Sequence, residues 1–144
     1  MPEWDLVQRL LSRIVVGMTK TRVLVAENHP SVRENLRYLI NAERDMTCVG
    51  VAKNARQCIE LCRELLPEVL VVDEILPGAD GLAVAAIVRA RLPQIRVVMY
   101  TFNPEVCEVA RGFGAVGCVV KDMPYGVLLG TLRQAAPVPV AMTH

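Results

Sequence analysis

Five short runs of apolar, largely β-branched residues recur along the chain, and segments of helical period separate them. The runs are RVLVAE (22–27), MTCVGVA (46–52), EVLVVD (68–73), IRVVMYT (95–101) and VGCVV (116–120). They are continuously apolar and do not alternate with polar residues. Such runs fit strands covered on both faces, as in a parallel sheet between two helical layers. Between the runs, Val32, Leu36, Leu39 and Ile40 form one helical stripe, and Ala55, Cys58, Ile59, Cys62, Leu65 and Leu66 form another. A third helix is predicted over about 82–92, ending before Pro93, and a fourth over about 104–113, with Pro104 in its first turn and Gly114 past its end. A fifth is predicted over about 124–135. Five strand–helix units imply right-handed crossovers, so the expected fold class is α/β, a doubly wound five-stranded parallel sheet.

The bulk properties exclude several function classes. A length of 144 residues suits one domain with a sizeable core, and 53% hydrophobic against 22% charged residues is the balance of a globular chain. The net charge of +1, with no basic run, gives no electrostatic footprint for nucleic acid. No apolar stretch approaches the roughly 18 residues needed to span a membrane. The five cysteines (Cys48, Cys58, Cys62, Cys107 and Cys118) are odd in number and irregular in spacing, and no secretory signal precedes them. They are expected to be reduced thiols in a cytoplasmic protein. Cys58 and Cys62 share a helix face, but no second ligand pair with zinc spacing exists, so they read as small buried hydrophobes. His29, beside Pro30, reads as a helix-entry residue ahead of a titrating or metal-binding one.

Both ends fall outside the repeating pattern. Residues 3–16, EWDLVQRLLSRIVV, set Trp4, Val7, Leu11, Ile14 and Val15 opposite Asp5, Arg9 and Arg13. This predicts an extra N-terminal amphipathic helix that packs on the domain or on a second subunit. The plainer alternative is an extension of little consequence, since Met18 begins a shorter chain that suffices for the fold. The expected division is an N-terminal extension over 1–20, the main domain over 21–136 and an extended tail over 137–144.

Ligands of doubly wound sheets bind beyond the carboxyl ends of the strands. There the first strand delivers Glu27 and Asn28, the third Asp73, the fourth Thr101 and the fifth Lys121. Asp73 and Glu27 suit a hard divalent cation such as Mg²⁺, and Thr101 and Lys121 suit the oxygens of a phosphoryl group. An aspartate carboxylate can itself be the nucleophile in phosphoryl transfer. The corner AENHPSV contains no glycine, which argues against a nucleotide- or flavin-binding enzyme of the same fold. A buried Asp73–Lys121 ion pair, with Thr101 merely capping a strand, is the purely structural alternative. Pro77-Gly78 reads as a turn and Asp80 as the N-cap of the third helix.

From about residue 21 to 135 the chain resembles the receiver domain of bacterial two-component response regulators, most closely the NarL/FixJ type. The segments that carry the resemblance are ENHPSVRENLRYLI, VVDEILPGADGL, VVMYT and GAVGCVVKD. It implies a flavodoxin-like strand order of 2-1-3-4-5 and phosphorylation of Asp73 by a histidine kinase or phosphotransfer protein. It further implies Mg²⁺ held by Glu27, Asn28, Asp73 and the backbone carbonyl of Ile75, with Thr101 sensing the phosphoryl group and Lys121 pairing with it. Phosphorylation would then repack the face of helix four (Glu105 to Phe113), strand five and helix five, which meets a downstream protein or a second copy. Enzymatic activity would be limited to self-phosphotransfer and autodephosphorylation at Asp73. The family's DNA-binding module is not encoded in these residues.

Four positions depart from the family pattern. Glu27 and Asn28 stand where two aspartates are usual, so Mg²⁺ binding is expected to be weak. Phe102 replaces a small residue, and a ring there would narrow access to the site. Cys118 replaces a switching aromatic. Two readings follow: a phosphoacceptor with altered Mg²⁺ dependence, or a pseudo-receiver that works by protein contacts alone.

Overall fold

A computed structural model describes residues 3–8 and 20–137. Its elements run β1 (Thr21–Ala26), α1 (Pro30–Asn41), β2 (Met46–Ala52), α2 (Ala55–Leu65), β3 (Val69–Val72), α3 (Gly81–Arg91), β4 (Arg96–Thr101), α4 (Pro104–Val109), β5 (Ala115–Val120) and α5 (Tyr125–Ala135). The strands form one parallel sheet in the order β2-β1-β3-β4-β5. This is the doubly wound arrangement expected from the continuous apolar runs.

Period-two geometry splits the inner strands between two cores. Val23, Val25, Val69 and Val71 face Leu36 and Ile40 of α1 and Leu128 and Leu132 of α5. Leu24, Ala26, Leu70 and Val72 face Cys58 and Cys62 of α2 and Val84 and Val88 of α3. Each fully buried aliphatic side chain of this kind contributes about 1.5–3 kcal/mol relative to exposure. Cys58 and Cys62 are core residues, as their helical spacing predicts.

Helix starts follow local chemistry. The Asn54 carboxamide oxygen accepts from Gln57 N at 2.8 Å, while Gln57 Oε1 accepts from Lys53 N at 2.8 Å, a reciprocal cap on α2. Asp80 caps α3 through Leu82 N at 2.8 Å, as expected. The fourth helix is shorter than predicted as α-helix: after Val109 it tightens into a 3₁₀ turn over Ala110–Phe113 and ends at Gly114, whose φ of 99° favours glycine. A feature absent from the sequence reading is a two-stranded ribbon, Ile75–Leu76 with Ala79–Asp80, turned by Pro77 and a left-handed Gly78.

The reduced state expected for all five cysteines is corrected at one pair. Cys107 and Cys118 form a disulfide, whereas Cys48, Cys58 and Cys62 are free. Packing of α4 on β5 brings the two Cα atoms to 5.3 Å, inside the range a disulfide requires. Cysteine count and spacing gave no sign of that contact, because it is made across the α4–β5 turn by tertiary packing.

Residues 3–8 are helical, with Trp4, Leu6 and Val7 exposed. The remainder of the expected N-terminal helix, residues 9–16, and the tail over 138–144 lie outside the described residues. Among the described residues, no helix is long and apolar enough to cross a membrane.

Candidate functional site

The backbone ladder continues one step beyond several strands and positions the residues found there. Glu27 N donates to Ala52 O at 3.0 Å, Asp73 N to Ala26 O at 3.0 Å and Lys121 N to Thr101 O at 2.7 Å. Glu27, Asp73 and Lys121 therefore leave the sheet at neighbouring points of one edge. Lys121 Nζ donates to Glu27 Oε2 at 2.9 Å and to Asp73 Oδ2 at 3.0 Å. The lysine, glutamate and aspartate side chains are only 4%, 1% and 6% exposed.

Two carboxylates share one ammonium in this cleft. Burial pushes the Asp73 carboxyl above its ordinary value; Lys121 opposes the rise, Glu27 adds to it by like-charge repulsion, and the Ile75 N–H at 3.3 Å from Asp73 Oδ1 lowers it slightly. The net direction is upward, burial being the largest cause, and the cluster sets two carboxylates against one ammonium. Arg33, which the sequence reading did not single out, is buried beneath the corner. Its guanidinium donates to the carbonyls of Glu27 at 2.9 Å and Asn28 at 3.4 Å, fixing the turn from β1 into α1. The available signal was an arginine in the first turn of α1, whose long side chain leans back toward the helix N-terminus.

Gly81 holds the other side of the cleft. A Cβ there would lie 2.0 Å from the Asp73 carbonyl oxygen and 2.7 Å from Glu74 Cα. The glycine of the Asp80-Gly81 pair is thus required by the close approach of two backbones, which the ribbon at Pro77-Gly78 brings about.

The remaining predicted residues lie around this centre. Thr101 is fully buried, and its hydroxyl donates to Glu74 Oε1 while accepting from Asn103 N at 2.9 Å. It is therefore engaged with the residue next to Asp73 rather than with Asp73 or Lys121. Asn28 and the Ile75 side chain are exposed. His29 occupies the N-cap position of α1 without a side-chain cap bond, and its Nδ1 lies 3.2 Å from Glu27 Oε1. Phe102 is 68% exposed. Its ring centroid lies 5.3 Å from Lys121 Nζ, and that of Tyr100 lies 5.6 Å away, so two aromatic faces flank the ammonium. Burial pushes the Tyr100 phenol up to about 12, keeping it neutral beside Lys121.

The donor set fits a hard divalent cation. Glu27, His29 and Asp73 each offer a ligand atom within 4.8 Å of the others. Lys121 occupies one oxygen of each carboxylate, which leaves Glu27 Oε1 and Asp73 Oδ1 as the oxygen donors.

The family model of the response regulator receiver domain matches residues 23–133. The chain belongs to that family. It is 38% identical over 120 residues to the transcriptional regulatory protein YxjL of Bacillus subtilis, covering 81% of this chain and 55% of that protein. It is 34% identical over 116 residues to the nitrate/nitrite response regulator NarL of Escherichia coli K12, covering 79% and 54% respectively. This receiver domain thus spans about half the length of the curated relatives it matches. Among solved structures, the signal receiver domain of the putative response regulator NarL from Mycobacterium tuberculosis superposes with a TM-score of 0.74 at 31% identity, covering 81% of this chain and 96% of that one. The resemblance inferred from the strand-end residues and the flavodoxin-like order is therefore established for the family and the fold.

Proposed function

We propose that Asp73 is the phosphoacceptor of this receiver domain, drawing on a phosphohistidine of a histidine kinase or phosphotransfer protein in the cytoplasm. The observation that supports this most directly is the buried Lys121 ammonium bonded to both Asp73 and Glu27. An Asp73 carboxylate oxygen attacks phosphorus, the donor's N–P bond breaks, the imidazole takes the electron pair, and an acyl phosphate remains on Asp73. In this reading Lys121 neutralises a phosphoryl oxygen, and Thr101, once its hydroxyl leaves Glu74, donates to another. Glu27 and Asp73 would hold Mg²⁺, with the Asn28 side chain and the Ile75 carbonyl as further oxygen donors, and the ion would supply positive charge to the transferred group. Glu27 reaches one methylene further than an aspartate and Asn28 brings no charge, so the cation is held weakly.

The output surface is the face of α4, β5 and α5. Phe102, Val109, Phe113, Val116, Met123, Tyr125 and Val127 expose apolar surface along this part of the chain. Rearrangement of Thr101 toward a phosphoryl group pulls on the β4–α4 turn, whose Asn103 N it accepts, and so connects the site to that face. A downstream protein or a second copy of the chain docks there.

Intact-mass measurement after incubation with acetyl phosphate and Mg²⁺ tests the assignment. A gain of about 80 Da that is lost in Asp73→Asn is the expected result. Absence of the adduct at every Mg²⁺ concentration overturns phosphorylation and leaves a pseudo-receiver that acts by contacts.

A further inference from the structure

We propose that the Cys107–Cys118 bond is a reversible thiol–disulfide exchange site for a small anionic thiol, and that its redox state sets how tightly α4 is held to β5. The exchange chemistry stands on the partial exposure of the pair and on the cavity that Cys118 lines; its effect on signalling rests on the receiver reading above.

The five cysteines sort by access. Cys58 and Cys62 are fully buried on the inner face of α2, and both remain thiols. Cys48 is half-buried, with its Sγ donating to Gly50 O at 3.3 Å, and burial raises its thiol above the ordinary value. Cys107 and Cys118, half-buried like Cys48 but facing each other across α4 and β5, are joined. The bond closes a separation of 11 residues between two elements that already pack through Val106, Ala110 and Ala115. The fold is therefore complete without it, and the disulfide acts as a local clamp.

The surroundings select the reagent. Cys118 lines a cavity of about 290 Å³ at the open edge of β5, with Arg96, Arg111, Thr131 and Gln134 among its walls and no acidic residue. One guanidinium NH of Arg96 is used on the Ala135 carbonyl at 3.1 Å, which holds that arginine in place. A thiol carrying carboxylates, such as a glutathione-like peptide, meets two cations in the cavity that Cys118 lines.

The reaction balances as follows. A thiolate RS⁻ attacks one sulfur of the pair, forming a mixed disulfide and releasing the other cysteine as a thiolate. A second RS⁻ attacks the reagent's sulfur in the mixed disulfide, giving RSSR and releasing the second cysteine as a thiolate. Overall, one protein disulfide and two RSH give two cysteine thiols and one RSSR, a two-electron reduction in which the two RSH supply both protons. The same steps with RSSR as oxidant run in reverse.

The position gives the exchange its consequence. Cys118 is paired with Met99 in the β4–β5 ladder and lies three residues before Lys121, while Cys107 is in the middle of α4. Oxidised, α4 is bound covalently to the strand that leads into the phosphoryl-facing lysine. Reduced, α4 is held only by its apolar contacts.

The test equilibrates the full chain with glutathione at a series of reduced-to-oxidised ratios, then traps thiols with a maleimide and maps them by peptide mass. The expected result is joint conversion of Cys107 and Cys118 at an intermediate ratio while Cys58 and Cys62 stay unlabelled. A pair that is never bonded, or that yields only after denaturation, overturns the site. Arg111→Gln is expected to slow reduction by glutathione roughly three- to tenfold and to leave reduction by the cationic thiol cysteamine unchanged; equal slowing of both overturns the anionic class. Hydrogen exchange over residues 104–109 is expected to be faster in the reduced chain and in Cys107→Ser/Cys118→Ser. Identical exchange in both redox states overturns the clamp. None of these readouts uses phosphorylation, so failure of the Asp73 assignment is seen separately in the acetyl phosphate experiment.

Discussion

The molecule contains two clusters with the same formula, one cation and two carboxylates, in opposite surroundings. Arg133 of α5 reaches Asp45 at 2.8 Å and also Glu43, with all three side chains at least 30% exposed. Lys121 reaches Glu27 and Asp73 with none above 6% exposed. At the surface the excess carboxylate is solvated, and the Arg133 hydrogen bond holds Asp45 below its ordinary value. In the cleft water is excluded, and Asp73 moves the other way. The same charges therefore make an ordinary surface contact in one place and an unsatisfied acceptor of positive charge in the other.

The largest expected effect comes from taking the cation out of the buried cluster. Lys121→Met leaves two buried carboxylates facing each other and is expected to cost about 3–5 kcal/mol by urea denaturation without divalent cation. A loss no larger than that of Arg133→Ala would erase the distinction between the clusters. Next comes Gly81→Ala, which places a methyl against the Asp73 carbonyl and is expected to cost about 3 kcal/mol and to abolish acetyl phosphate labelling by displacing the acid. Asp73→Asn removes the surplus charge and leaves a matched Lys121–Glu27 pair, so it is expected to stabilise the domain by about 1 kcal/mol in calorimetry, whereas a typical buried polar substitution destabilises. Arg133→Ala is expected to cost at most about 1 kcal/mol, and less at high salt.

pH sharpens the contrast, because the two aspartates carry opposite signs. Asp73 binds its proton more tightly folded than unfolded, so its contribution falls as pH rises from 3.8 through the raised folded value. Asp45 binds its proton less tightly folded, so its contribution is present above 3.8 and is lost as pH falls through the depressed folded value. Unfolding free energies measured across the acid range are expected to lose the first slope in Asp73→Asn and the second in Asp45→Asn. Exchanged or unaltered slopes would contradict the assignment of charge excess to the cleft.

What was legible in the sequence followed from periodicity and strand ends. Continuous runs such as VLVV of β3 can only be covered on both faces, and register then brings Glu27, Asp73, Thr101 and Lys121 to one edge. Contacts made by side-chain reach were not legible. Arg33 turns back under its own helix, Glu74 takes the Thr101 hydroxyl, and Phe102 sets its ring 5.3 Å from the Lys121 ammonium. The cysteines were misread for the same reason: the pairing of Cys107 with Cys118 depends on how α4 lies against β5, which spacing does not encode.

The ladder bonds just past the strands, Glu27 to Ala52, Asp73 to Ala26 and Lys121 to Thr101, have a consequence for how the chain matures. A slip of one residue in β1, β3 or β5 would turn the acid or the lysine to the opposite layer and bury an apolar neighbour's place with charge. Correct zippering of the sheet and assembly of the acidic cleft are thus a single event, and a chain caught in the wrong alignment lacks the cleft altogether.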